Sequence, residues 1–118
     1  MTRAEYEAAS GVSLETSDRL AAYLDLLARW TKRINLVGAS TLRDPWRRHI
    51  LDATQLRVYL PNPPGVIADI GAGAGLPGLP LILSAPGWRI HLVESDERKA
   101  AFLREAIRQT GAAAEVHA

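Results

Sequence analysis

The chain has 118 residues, a net charge of +1 and 47% hydrophobic residues, the profile of one ordinary soluble domain with enough apolar material for a core. With no cysteine, a disulfide framework and a thiolate metal site are excluded, and the composition suits a reducing, cytoplasmic setting. No apolar run approaches the roughly 18 residues of a membrane helix, Met1–Glu5 lacks the apolar centre of a signal peptide, and near-neutral charge leaves any nucleic-acid contact to local clusters.

Residues 1–12 are weakly specified and read as one short helix. Ser17-Asp18 reads as an N-cap and first turn. After it, Leu20, Tyr23, Leu24, Leu27, Trp30 and Ile34 recur at spacings of three and four, a helix face packed on a core. Arg29, Lys32 and Arg33 follow toward its end, where cations suit the dipole. Asn35 to Thr41 reads as a loop. Asp44-Pro45 then opens a second helix, with Asp44 as N-cap and Pro45 at the first helical position. Its body runs from Trp46 to Ala53, with Trp46, Ile50 and Ala53 on one face. Arg48 and Asp52, four apart, are placed to pair. His49 reads either as a partly buried, hydrogen-bonded histidine or as a functional one.

Leu60-Pro61-Asn62-Pro63-Pro64-Gly65 suits neither helix nor central strand. It divides a helical N-terminal extension and linker, residues 1–64, from the first part of an α/β domain, residues 65–118. That domain opens with a β-prone run, Val66 to Ile70, breaking into Gly71-Ala72-Gly73-Ala74-Gly75-Leu76-Pro77-Gly78. A strand running into a glycine turn and a helix start is how a βαβ unit builds a ligand-binding turn. Glycine lets the backbone take φ > 0 and a ligand lie against bare chain, and amides at a helix N-terminus attract groups such as a carboxylate. Two patterns fit the turn. Gly73 to Gly78 satisfies the dinucleotide pattern G-x-G-x-x-G. Asp69 to Gly75 satisfies D-x-G-x-G-x-G, the pattern of S-adenosylmethionine-dependent methyltransferases. Asp69 favours the second, since its carboxylate would repel a pyrophosphate and attract an α-ammonium and a sulfonium.

Pro77 and Pro80 fall in or near the first turn of the next helix, which is apolar nearly all round and ends at Ala85-Pro86-Gly87. Arg89 to Glu94 is the second strand. Glu94, 21 positions after Gly73, stands where an acid hydrogen-bonds ribose hydroxyls in βαβ nucleotide folds. Ser95-Asp96 caps a helix carrying Phe102, Leu103, Ala106 and Ile107, with Gly111 at its end. A third strand begins near Ala113. The expected sheet is parallel, in the order third–second–first, with the glycine turn at the carboxyl end of the first strand. Such a sheet needs more strands and helices on both faces. The chain is therefore expected to be the N-terminal part of a longer protein, prone to self-association through its incomplete sheet.

Ile34-Asn35-Leu36-Val37, Arg48-His49-Ile50-Leu51-Asp52, Asp69 to Gly78, and Val93-Glu94-Ser95-Asp96 with Lys99, Phe102 and Leu103 come in an order and spacing that resemble the glucose-inhibited division protein B family. These are bacterial methyltransferases that modify N7 of one guanine in small-subunit ribosomal RNA. The resemblance covers about Ile34 to Ala118. It implies a class I methyltransferase (Rossmann-like) α/β fold, here truncated after about three strands, and S-adenosyl-L-methionine as cofactor. Gly71, Gly73, Gly75 and Leu76 are then expected around the methionine part and Glu94 on the ribose, with Asp69 facing the ammonium. Asn35, Arg47, Arg48, His49 and Lys99 become candidates for contacting RNA or shaping the cleft. A basic cluster including Arg43, Arg47 and Arg48 would hold phosphates of the small ribosomal subunit. Guanine N7 has an in-plane lone pair, so no catalytic acid or base is assigned, and no metal site is read. The alternatives are a dinucleotide-dependent oxidoreductase and a non-catalytic binding fragment.

Overall fold

Thr2 and Gly11 bracket the first helix. The Thr2 hydroxyl accepts the Glu5 N–H while the Glu5 carboxylate accepts the Thr2 N–H, and Gly11 closes the far end at φ 68°. The computed structural model describes Met1–Ala118, and these caps turn its N-terminus into α1, Arg3–Ser10. The long helix α2, Leu14–Ile34, begins earlier than expected. Its N-cap is Ser13, whose hydroxyl accepts the Thr16 N–H at 3.1 Å. Ser17 is buried instead and accepts a 2.8 Å hydrogen bond from Arg3 Nε, while Asp18 pairs with the same guanidinium. Once Gly11 has ended α1, the first capping side chain available starts the next helix. The apolar stripe packs as expected. Leu20, Tyr23, Leu24 and Leu27 are buried, and Trp30 stands edge-on to Phe102 at 5.6 Å.

The second helical segment is not a regular α-helix. A 3-10 turn, Ala39–Arg43, occupies part of the expected loop. A π-wound turn, Trp46–Leu51, then leads into the short α3, Asp52–Thr54, and a 3-10 turn, Gln55–Tyr59. The Asp52 N–H reaches back five residues to the Arg47 carbonyl. In this wider winding, residues four apart no longer stack, and Arg48 and Asp52 form no ion pair. Asp44 does not cap the segment. Its carboxylate binds the Met1 ammonium at 3.0 Å and the Arg47 guanidinium at 3.3 Å, both of which hold its carboxyl below the usual range.

After an irregular stretch the chain enters the sheet. Strands β1, Val66–Ile70, β2, Arg89–Val93, and β3, Ala114–His117, are all parallel and lie in the order β1-β2-β3. The short helix α4, Gly78–Ser84, is buried throughout, and α5, Glu97–Thr110, is capped by Asp96 and ended by Gly111 at φ 71°. One core joins α1, α2, α4, α5 and one face of the sheet, with Tyr6, Tyr23, Leu79, Ile90, Leu92 and Phe102 completely enclosed. Each such side chain stabilises the fold by about 1.5–3 kcal/mol. The other sheet face is open, leaving Val66 63% and Ile70 76% exposed.

Candidate functional site

The turn after β1 is built mostly from hydrogen bonds within the chain. The Gly71 and Ala72 amides both donate to the Val93 carbonyl, at 2.8 and 3.0 Å, and the Gly75 amide donates to the Ala72 carbonyl at 2.8 Å. Gly71, Gly73 and Gly75 all have positive φ, at 73°, 54° and 77°. The amides of Ala74 and Leu76 find no acceptor in the chain. The glycine turn thus offers fewer free N–H groups than its sequence suggests. Helix α4 starts only at Gly78, three residues beyond Gly75.

The glycines divide by what surrounds them. A Cβ at Gly71 would meet nothing within 4 Å, and one at Gly73 only the Gly71 carbonyl at 3.9 Å. A Cβ at Gly75 would lie 2.7 Å from Leu79 Cδ1, and one at Gly78 2.9 Å from Ile90 Cδ1 and 3.0 Å from Asp69 Oδ2. Gly75 and Gly78 therefore serve packing, while Gly71 and Gly73 border open space. Asp69 Oδ2 is turned in beneath Gly78, buried and without a hydrogen-bond partner, and this burial pushes the Asp69 carboxyl up. An unpartnered acceptor beside the turn fits a cationic donor such as an amino-acid ammonium.

Glu94 follows β2 and is buried. Its Oε1 accepts the Gly73 N–H at 2.7 Å and its Oε2 accepts the Asp96 N–H at 2.8 Å, so one carboxylate clasps the turns that follow β1 and β2. A carboxylate has about four acceptor positions, which leaves capacity for hydroxyl donors. The two amides hold the Glu94 carboxyl below its usual value, aided by Lys99 in the first turn of α5. Because the folded value is depressed, the clasp contributes fully above the unfolded carboxyl's range near 4.5 and is lost as pH falls through the folded value. Glu94→Gln is expected to lower stability at neutral pH and to flatten the loss of stability on acidification. Urea midpoints from pH 7 to pH 3 check this; parallel curves for the two proteins would count against it.

Two contributors to the site were not legible. Tyr23, assigned from sequence to the helix stripe, donates its hydroxyl to the Ala74 carbonyl at 2.6 Å and so buttresses the turn from α2. Complete burial pushes its hydroxyl far up, keeping it a neutral donor. Asp96 both caps α5 and presents its amide to Glu94. No sequence pattern marks either contact.

The other candidates are scattered. Asn35 ends α2 in the left-handed conformation at φ 54°, its amide bonded to the Thr31 carbonyl. Arg47 is exposed and paired with Asp44. His49 is 7% exposed, and its Nε2 lies 2.8 Å from Thr41 Oγ1. Since the Thr41 hydroxyl can donate to the Gly38 carbonyl at 2.6 Å, His49 Nε2 is best read as the donor. Burial first, then the Arg48 charge, hold the imidazole below its ordinary value. Arg48 is exposed and, with His49, Asp52, Ala53, Leu76 and Pro77, lines a hollow of about 210 Å³. The π-wound segment is thereby brought against the glycine turn, the Lys99 charge acts on Glu94, Arg47 pairs with Asp44, and Asn35 stands exposed at the end of α2.

Residues 16–116 match the family model described as rRNA small subunit methyltransferase G. Relatives that carry the name "Ribosomal RNA small subunit methyltransferase G" include one from Rhodospirillum centenum, 57% identical over 115 residues, which are 97% of this chain and 52% of that protein. The one from Rhodospirillum rubrum is 53% identical over 118 residues, 99% of this chain and 58% of that protein. The one from Granulibacter bethesdensis is 53% identical over 111 residues, 94% of this chain and 52% of that protein. The chain spans about half the length of the curated relatives it matches.

Proposed function

Because the chain belongs to the rRNA small subunit methyltransferase G family, we propose that it carries the S-adenosylmethionine-binding half of an enzyme that methylates N7 of a guanine in small-subunit ribosomal RNA. The observation that carries this reading is the Glu94 clasp, a buried carboxylate bonded to Gly73 and Asp96 beside two glycines that border open space. In this reading Gly71, Gly73, Gly75 and Leu76 lie along the methionine part. The free amides of Ala74 and Leu76 receive its carboxylate, Asp69 compensates its ammonium, and the spare lone pairs of Glu94 receive the ribose hydroxyls. When bound, the cofactor supplies an electrophilic methyl group on a sulfonium. The chain's own residues bind and align; none need take a proton, because N7 is unprotonated at neutral pH. Alignment of two bound reactants is worth up to about 7–11 kcal/mol of barrier. Arg48 and His49, beside Leu76 and Pro77, line the approach for RNA, with Arg43, Arg47, Asn35 and Lys99 as further contacts, through phosphates that position without reading sequence.

No helix of the chain is long and apolar enough to cross a membrane, and an enzyme of ribosomal RNA works in the cytoplasm. The dinucleotide reading rests on the glycine spacing and on Glu94, which the methyltransferase reading shares, and the Asp69 carboxylate before the turn weighs against a pyrophosphate. Calorimetric titration of a protein of the relatives' full length with S-adenosylhomocysteine and with NAD tests the assignment. Binding of the first, lost in the Glu94→Ala variant, is the expected result; binding of NAD in preference would overturn it.

A further inference from the structure

On the sheet face turned away from α2, α4 and α5, three ligand-type side chains converge. His91 and Glu115 are register partners on β2 and β3, and His117 pairs with Val93 two positions further along. Alternation along parallel strands puts all three on the face opposite buried Ile90 and Leu92. His91 Nδ1 lies 2.8 Å from His117 Nε2, the ring centroids are 5.0 Å apart, and Glu115 Oε2 is 3.8 Å from His91 Nδ1. One ligand atom from each residue lies within 4.8 Å of the others. His91 is half-buried and the other two are exposed, so the group is open to solvent.

The geometry matches what a small cation needs. Zinc takes imidazole nitrogen and carboxylate oxygen at about 2.0–2.2 Å, which sets neighbouring tetrahedral ligand atoms roughly 3.3–3.6 Å apart. The separations of 2.8 and 3.8 Å bracket that range. Rotation of the three side chains brings every pair, including Glu115 and His117, which lie within 4.8 Å of each other, to that spacing. Two neutral imidazoles and one carboxylate leave a divalent ion with one net positive charge and a position open to water. Two imidazoles with a carboxylate select zinc, copper or nickel over magnesium or calcium, which prefer oxygen alone.

We propose that His91, Glu115 and His117 form a binding site for one divalent transition-metal ion of the zinc class, clamping edge strand β3 to β2. The site shares no side chain with the glycine turn or its clasp, and touches them only where the His117 carbonyl accepts the Glu94 N–H at 2.9 Å. A bound ion stabilises β3, whose other edge has no partner strand, through ordinary linkage between binding and folding.

Titration calorimetry of the 118-residue chain with zinc chloride in a non-chelating buffer tests the site. One ion per chain is expected, with a rise in Tm, and magnesium chloride should give neither. His117→Ala, at an exposed position near the end of β3, leaves the core untouched and should weaken zinc binding by about tenfold or more, with Glu115→Gln losing less. Imidazole resonances recorded on the unsubstituted chain provide a check that needs no variant. Those of His91 and His117 should shift with zinc and that of His49 should not. No saturable binding, equal binding by His117→Ala, an equal response to magnesium, or a shift confined to His49 would each overturn the proposal.

Discussion

Alanine at Gly75 is expected to cost the fold about 2–4 kcal/mol, against about 1 kcal/mol at Gly71. At Gly75 two penalties combine. The backbone stands at φ 77°, and the new methyl would sit 2.7 Å from Leu79 Cδ1 and 3.0 Å from Leu103 Cδ2, both in completely buried side chains. At Gly78 there is no φ penalty, but the methyl would press on Ile90, Leu92 and the already unpartnered Asp69 oxygen. Its cost is expected near the 1–3 kcal/mol of an overpacked core. At Gly71 and Gly73 only the backbone strain remains. Their substitutions should act on the ligand instead. Gly73→Val, in a protein of the relatives' full length, is expected to abolish S-adenosylhomocysteine binding while keeping a cooperative urea transition. Urea midpoints for the four alanine variants, with calorimetric titration of Gly73→Val, decide the matter. Equal midpoints across the series, or retained affinity in Gly73→Val, would show that the glycines do not divide in this way.

The second large effect expected is that the 118-residue chain transfers no measurable methyl group to unmodified small ribosomal subunits, whereas a protein of the relatives' full length does. The glycine turn has a floor in α4 and β2, a clasp in Glu94 and a buttress in Tyr23, but Gly71 lies exposed and no wall faces it. The hollow between Arg48 and Pro77 is about 210 Å³, below the roughly 300–1,000 Å³ of sites that bury a drug-sized ligand. Without a second wall neither the adenine nor the guanine is held, and the alignment term, up to about 7–11 kcal/mol, is not realised. The same exposed Val66 and Ile70, beside the unpaired edge of β1, should drive the short chain to self-associate. Labelled S-adenosylmethionine assays of both lengths side by side, with light scattering for molar mass, measure both outcomes. Comparable turnover would show that the half-cleft suffices; a monomer at high concentration would remove the self-association.

What the sequence made legible was local. The run from Val66 into the glycines and the caps Asp96 and Gly111 each depend on neighbours within a few residues and lie where the sequence puts them, and the second strand starts at Arg89 as expected but ends at Val93, one residue before Glu94. The parallel order followed from the βαβ pattern. What failed depended on distant partners. Asp44 looked like an N-cap, but the Met1 ammonium and Arg47 claim its carboxylate. Ser17 looked like a helix start until Arg3 folded back onto it. Arg48 and Asp52 are correctly spaced for an α-helix, and the π-winding that separates them has no signature in residues 46–51. For the site, Glu94 was identified by its spacing, but its clasp on Gly73 and Asp96 was not. The Tyr23 buttress joins positions 51 residues apart, and nothing in a helix stripe says which hydroxyl will find a carbonyl.

The Glu94 clasp also bears on the thermodynamics of ligand capture. Ordering one backbone residue takes about 1–2 kcal/mol of entropy at 25 °C. The residues between Gly71 and Asp96 that form the two turns are already ordered when one carboxylate spans them, so folding, rather than association, bears that entropy. A ligand arriving at Gly73 meets a surface that need not stiffen to receive it. Its binding should therefore carry a heat-capacity change set by its own buried apolar area rather than by any ordering of the chain. If Glu94 is replaced, the turns become free to move, and the missing order reappears as an entropic barrier on the ligand's side of the equilibrium.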